Sequence, residues 1–292
     1  MKRILLFVAT NFAIMIVLSI VASILLPTLG LNGQGLSGLF VWCGVFGMGG
    51  SFISLAMSKW IAKWSTGAQV IEQASNPTER WLIETVQRLA QSAGIGMPEV
   101  AIFNSPDINA FATGMTRNSA LVAVSSGLLQ GMNRDEAEAV LGHEITHIAN
   151  GDMVTLTLIQ GVLNTFVMFF ARIAASVVSN AIGGNRDNDG MKQVVFFVAT
   201  MIFQIIFGVL ASMIVMWFSR QREYRADAGG ASLAGKQKMI AALERLMRNH
   251  EESRLDGQLV AFGINGKNSN ELFMSHPPLE KRIEALRNSI SM

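Results

Sequence analysis

Four stretches of this chain carry too little charge to be stable in water on their own. Residues 4–26, 36–57 and 194–218 contain no charged side chain, and residues 154–180 contain only Arg172. Each exceeds the ~20 apolar residues that an α-helix needs to cross ~30 Å of hydrocarbon. The whole composition agrees: half of the residues are hydrophobic and 15% are charged, against about 25% in ordinary soluble domains. Four transmembrane helices are therefore predicted. The first run follows Lys2 and Arg3, as a secretory signal would, but it is longer than a signal core. No small-residue cleavage pattern follows Leu26, so an uncleaved span is expected.

Lysine and arginine orient the spans. Lys2 and Arg3 precede the first, Lys59 and Lys63 follow the second, and Arg220, Arg222 and Arg225 follow the fourth. The loop 27–35 is uncharged, and in the loop 181–193 two basic residues are balanced by Asp187 and Asp189. The positive-inside rule then puts both termini and both long polar segments in the cytoplasm. Those segments, 58–153 and 219–292, come together to about 170 residues, enough for one ordinary domain. Each alone is small for a core, so the two are expected to fold together, with residues 154–218 inserted between them as a membrane hairpin.

Within the first segment, Asn76-Pro77-Thr78-Glu79 has the form of a helix start. Leu82, Val86, Leu89 and Ala93 continue at helical spacing until Gly94. Residues 99–103, 109–113 and 119–125 read as short strands, and a helix is predicted from Asn133 to Asn150. In the second segment, 236–250 and 278–290 read as amphipathic helices. The net charge of +2 is too small to suggest nucleic acid as a partner, and Cys43, the one cysteine, lies inside an apolar run and leaves no disulfide to form within the chain.

His143-Glu144-Ile145-Thr146-His147 is the most informative stretch. Residues four apart on a helix stand one turn apart on the same face, so both imidazoles can reach one ion. Glu144 sits about 100° around the axis, where it can act on a water beside that ion. Zinc suits the pair because it accepts nitrogen ligands and keeps a position open. A plain amphipathic helix is the bland alternative, since Ala137, Leu141, Ile145 and Ile148 make an apolar side.

A third ligand is needed. The metzincin pattern is excluded, because Asn150 and Met153 occupy its glycine and histidine positions. Glu223-Tyr224-Arg225-Ala226-Asp227 offers a glutamate on a second helix with an acid one turn later. In that arrangement Glu223 binds zinc, and Asp227 accepts the outer N–H of a ligand histidine, His143, to fix its tautomer. The pair also follows a span that returns the chain to the side of His143.

With residues 107–114 (DINAFATG), 143–152 (HEITHIANGD), 223–228 (EYRADA) and 275–286 (SHPPLEKRIEAL), the chain resembles the bacterial membrane-bound gluzincin metallopeptidases related to CAAX prenyl endopeptidases. The likeness extends over essentially the whole chain. It implies a mainly α membrane protein with four transmembrane helices and a cytoplasmic α+β gluzincin-type metalloprotease domain assembled from two chain segments. It further implies one zinc ion per chain, an inner-membrane location, and unfolded or damaged membrane proteins as substrates in quality control. Two residue assignments come from the resemblance alone. His276 and Arg282 match positions thought to hold substrate or stabilise the tetrahedral intermediate. Asn109 and Ala110 match a strand that pairs with an extended substrate by β-addition.

The metal is expected near the bilayer. His147 lies seven residues before the third span and Glu223 five after the fourth, which limits its distance from the headgroups to roughly 10–25 Å. Three rival readings are weaker. An intramembrane metalloprotease would use Leu255-Asp256-Gly257, but that tripeptide lies among charges. A membrane metal sensor or transporter would want ligands inside the spans, and the apolar runs hold no histidine or acid. A CAAX-processing enzyme shares the chemistry, but no prenyl pocket can be read from sequence.

Overall fold

The computed structural model describes residues 20, 23–24, 27–28, 35–182, 189–256 and 274–289, without the side chains of 189 and 250–256. The predicted first span, 4–26, lies almost wholly outside the described residues, as does Gly257 of the Leu-Asp-Gly tripeptide. The described elements are α1 (Gly35–Ala56), α2 (Ser58–Thr66), β1 (Gln69–Val70), α3 (Pro77–Ser92), β2 (Glu99–Phe103), β3 (Ala110–Thr116), β4 (Ser119–Ser125), α4 (Ser126–Gly131), α5 (Arg134–Asn150), α6 (Asp152–Ile182), α7 (Asp189–Ala234), α8 (Lys236–Asp256) and α9 (Leu279–Asn288). The chain forms two compact units. One takes the residues up to Ser54 with Leu156–Val215, and the other takes Leu55–Thr155 with those from Met216 onward.

Among the described residues, α1, α6 and α7 are long and apolar enough to cross a membrane. In the first unit, α1 and α6 meet closely through small residues. A Cβ built on Gly47 would lie 2.6 Å from the backbone nitrogen of Thr165, so only glycine fits. The lone charge of the apolar runs is also accounted for. The Arg172 guanidinium lies 4.3 Å from the centroid of the Trp42 ring, a cation–π contact, and 3.7 Å from Cys43 Sγ.

The second unit is layered around a four-stranded sheet of order β1-β2-β4-β3. β2 and β4 run parallel, and β3 pairs antiparallel with β4, which leaves β3 at the sheet edge. One face of the sheet packs through Val100, Val122 and Val124 against Leu82, Val86 and Leu89 of α3 and Leu141, Ile145 and Ile148 of α5. The opposite face, with Ala101, Phe103, Leu121 and Ala123, is covered by Ala62 of α2. A further cluster joins Ala139 of α5 to α8 and α9. Sequence signals define the helix starts well. Asn76 accepts a hydrogen bond from the Glu79 N–H, and Asn133 and Glu136 form a reciprocal capping box.

The helix that carries the fourth apolar run extends beyond it. The fourth span was read as ending at Phe218, but α7 continues unbroken to Ala234, so one helix of 46 residues carries both the apolar run and Glu223. Arg220, Arg222, Arg225 and Ala226 are good helix formers, and no proline interrupts them. Short α2 and two-residue β1 were not anticipated, because neither is long enough to show a period.

The fit between α5 and α7 rests on glycines. A Cβ on Gly229 would lie 2.3 Å from Thr146 Cγ2, and one on Gly230 would lie 2.9 Å from the His143 backbone nitrogen. We therefore expect Gly230→Ala to force α7 away from α5, at a cost of about 1–3 kcal/mol. Thermal unfolding of the detergent-solubilised protein, with zinc affinity measured in parallel, checks this; unchanged values for both would refute the close fit.

Candidate metal centre

The apolar side of α5 is buried against the sheet and α3, which turns His143 and His147 towards α7. Both are 7% exposed, while Glu223 and Asp227 are each 1% exposed. His143 Nε2 and His147 Nε2 are 3.1 Å apart. His147 Nε2 is 3.3 Å from Glu223 Oε1, and His143 Nε2 is 3.5 Å from Glu223 Oε2. Four ligands at ~2.05 Å from a tetrahedral zinc would stand about 3.3 Å from one another, close to these three separations. Glu223 Oε1 is fully buried with no hydrogen-bond partner. A buried carboxylate oxygen left so would be costly, and a cation between it and the imidazoles supplies what it lacks.

Each histidine has an acid behind it. His143 Nδ1 lies 3.0 Å from Asp227 Oδ1. His147 Nδ1 lies 2.6 Å from Asp152 Oδ2. Asp227 in turn accepts from Arg282, whose Nε and Nη2 donate at 2.7 and 2.6 Å. The Arg282 Nη1 atom is 3.6 Å from Glu223 Oε2. Charge follows this geometry. Burial opposes a proton on His143, but the carboxylates of Asp227, Glu223 and Glu144 outweigh it and lift its pKa to about 9. His147 is raised against the same burial by Asp152 and Glu223. Burial would raise Glu223, yet the three histidines around it hold its carboxyl far below the usual range. Asp227 is likewise lowered, burial being overcome by Arg282 and His143.

Glu144 is half-buried and lines a cleft of about 130 Å³ with His143, Glu223, His276 and Arg282. Ile108, Asn109 and Ala110, where edge strand β3 begins, line the same cleft. His276 is 59% exposed at its side chain, and its Nδ1 lies 2.8 Å from Glu223 Oε2. All nine residues singled out from sequence thus gather at one site. Arg282 differs from the expected picture in one respect: it is buried, and two of its guanidinium nitrogens are occupied by Asp227. Sequence reasoning missed Asp152. The available signal was an acid directly after Gly151, whose left-handed backbone (φ 69°) ends α5 and turns the chain within reach of His147.

This fold and donor set define a zinc metallopeptidase held by His143, His147 and Glu223. Residues 76–290 match the family model described as peptidase family M48, and the chain belongs to that family. It is 64% identical over 289 residues to Protease HtpX of Tolumonas auensis, covering 98% of this chain and 99% of that one. Protease HtpX of Aeromonas hydrophila is 63% identical over 290 residues, with 98% and 100% covered. The protein is thus a multi-pass membrane metalloprotease. Among solved structures it is similar to S. mikatae Ste24p, with a TM-score of 0.68 at 17% identity, covering 98% of this chain and 65% of that chain. That likeness concerns the fold.

The Asp152–His147 contact makes a testable demand. Replacing Asp152 with Asn should weaken zinc binding by about 10- to 100-fold, the usual effect of losing a carboxylate behind a ligand imidazole. Competition with a chelator measures it, and an affinity equal to that of the unaltered protein would sink the assignment.

Proposed function

We propose that this enzyme is an endopeptidase that cuts extended segments of misfolded or damaged membrane proteins on the cytoplasmic side of the bacterial inner membrane. The observation that carries this reading is the shared cleft. The start of an edge strand and two of the zinc ligands, His143 and Glu223, border one groove, so a substrate strand added to β3 would run past the metal. Edge pairing uses backbone groups, so it favours unfolded chains over any single sequence. Four spans, counting residues 4–26, follow from the apolar runs, and cytoplasmic termini from the lysine and arginine distribution. The catalytic domain would then comprise residues 58–153 and 219–292.

When bound, zinc polarises the scissile carbonyl and acidifies water at the site. Glu144 takes a proton from water as its oxygen attacks the carbonyl carbon. As the C–N bond breaks, the same carboxylic acid returns that proton to the leaving amine. Asp227, held by Arg282, and Asp152 keep His143 and His147 in the tautomers whose Nε2 atoms face Glu223. His276, exposed at the cleft, is the candidate donor to the oxyanion, with Nη1 of Arg282 behind it.

The test is cleavage of unfolded casein by the detergent-purified protein, with zinc, with a chelator, and with Glu144→Gln. We expect zinc-dependent cleavage that falls by a factor on the order of 10² or more in the variant, with zinc retained. Cleavage that survives both treatments would remove this site from the reaction. Zinc binding without any cleavage would favour a metal sensor instead.

The cleft also bears on preference. Val140 and Leu246 give it a partly exposed apolar wall, backed by the buried Leu128, Met239 and Leu243, which we read as the seat of the substrate side chain beside the cut bond. Peptides with Leu or Phe there should be cleaved at least about tenfold faster than those with Gly or Asp. Mass-spectrometric mapping of cuts in a peptide mixture checks this, and an even distribution over side-chain types would rule it out.

A further inference from the structure

Helix α2 is tied to the sheet on one side and carries an exposed aromatic pair on the other. Ala62 packs with Ala101, Phe103, Leu121 and Ala123, while Lys59 and Lys63 both reach Glu99 of β2. Residues 60 and 64 stand one turn apart, about 160° around the helix from Ala62. Their indoles stack with centroids 6.3 Å apart and planes 9° from parallel. Trp60 is 50% exposed and Trp64 38%.

Where the exposed apolar groups fall is informative. Among the described residues of the unit containing the metal centre, the exposed large hydrophobic side chains are Trp60, Trp64, Met97, Met115, Trp217 and Phe218. The four aromatic members fall near the ends of apolar runs: Trp217 and Phe218 are the last two residues of 194–218, and Trp60 and Trp64 come three and seven residues after 36–57. Trp60 comes four residues after α1 ends at Ala56, with only Met57 between α1 and α2. Trp217 and Phe218 close the run 194–218 within α7. At no more than ~3.4 Å per residue, Trp60 is within about 14 Å of the end of α1. The interfacial layer on each side of the hydrocarbon is several ångströms thick, and tryptophan is the residue most at home there.

We propose that α2 lies in the headgroup region of the bilayer, with the Trp60 and Trp64 indoles seated among the lipids. A protein partner would account for one exposed pair but not for the recurrence of aromatic residues where a separate apolar run ends. Lipid accounts for both. The opposite side of α2 packs in the same cluster as Phe111 of β3, so this seat holds the edge strand beside the membrane surface. The consequence for substrate capture rests on the role proposed above for β3; the lipid contact itself does not.

The experiment uses the full chain labelled with 5-fluorotryptophan in phosphatidylcholine/phosphatidylglycerol nanodiscs. Its five tryptophans, Trp42, Trp60, Trp64, Trp81 and Trp217, give five fluorine resonances that single Trp→Phe variants assign. Trp42 in α1 and Trp81 in α3 serve as membrane and non-membrane references. A lipid carrying a nitroxide near its headgroup should broaden Trp60 and Trp64 several-fold more than Trp81, and a water-soluble gadolinium chelate should leave them sharp. Broadening of both by the chelate and not by the lipid would overturn the proposal. The readout needs no turnover, so a failure here and a failure of the proposed proteolysis are told apart.

Discussion

Gly142 on one helix and Gly229 and Gly230 on another let α5 and α7 meet backbone to backbone. A side chain on either residue of the second pair would collide with Thr146 or with the His143 backbone. That approach brings a glutamate within 3.3 to 3.5 Å of two imidazoles four residues apart. With ordinary residues there the helices would part by an ångström or more, and a carboxylate has too short a reach to make up the difference. Much of the rest serves to hold this contact. The capping box fixes the start of α5, the sheet and α3 bury its apolar side, and α8 and α9 close over it.

The second constraint is charge. Glu223, Asp227 and Asp152 are almost fully buried, and among the groups touching them the only permanent cation as deeply buried is Arg282. With half-buried Glu144, four carboxylates face two guanidiniums, those of Arg282 and of Arg222, whose Nε lies 3.9 Å from Glu223 Oε1; the two negative charges left over are what a divalent cation with neutral imidazoles would cancel. Without a metal the same imbalance draws protons onto the histidines, which is why His143 is lifted to about 9 despite burial that opposes it. The carboxylates behind the rings are thus more than orienting groups. They make the site one in which two positive charges are needed, while Arg282 keeps Asp227 from being an uncompensated buried anion.

How far this was legible in sequence depended on how local each feature is. His143, Glu144 and His147 lie within a turn and a half of one helix, so spacing alone relates them. Glu223 and Asp227 required one more step, the expectation that a span returns the chain to the same side. Strands β2, β3 and β4 were bracketed by Pro106-Asp107 and Gly114 and were read within a residue or so, apart from the far end of β3. Asp152 was passed over because its partnership with His147 depends on the left-handed turn at Gly151, a backbone conformation that spacing does not express. The glycines of α7 carried no sequence signal of their own, since their purpose lies in a neighbour more than eighty residues away. That α7 runs on past Phe218 was not legible, because hydropathy marks where apolar side chains stop, not where a helix stops.

That last difference has a physical consequence. Glu223 stands on the same uninterrupted helix as the apolar residues 194–218, and His147 is separated from the start of α6 by Ile148 through Gly151 alone. A ligand on a continuous helix inherits that helix's rotation. One residue inserted between Glu223 and Gly229 would turn the carboxylate by about 100° relative to the glycines that seat α7 on α5, and move it out of the site. A flexible loop would have absorbed such a change. The residues from Glu223 to Gly230 therefore set the phase at which the third ligand meets the two histidines.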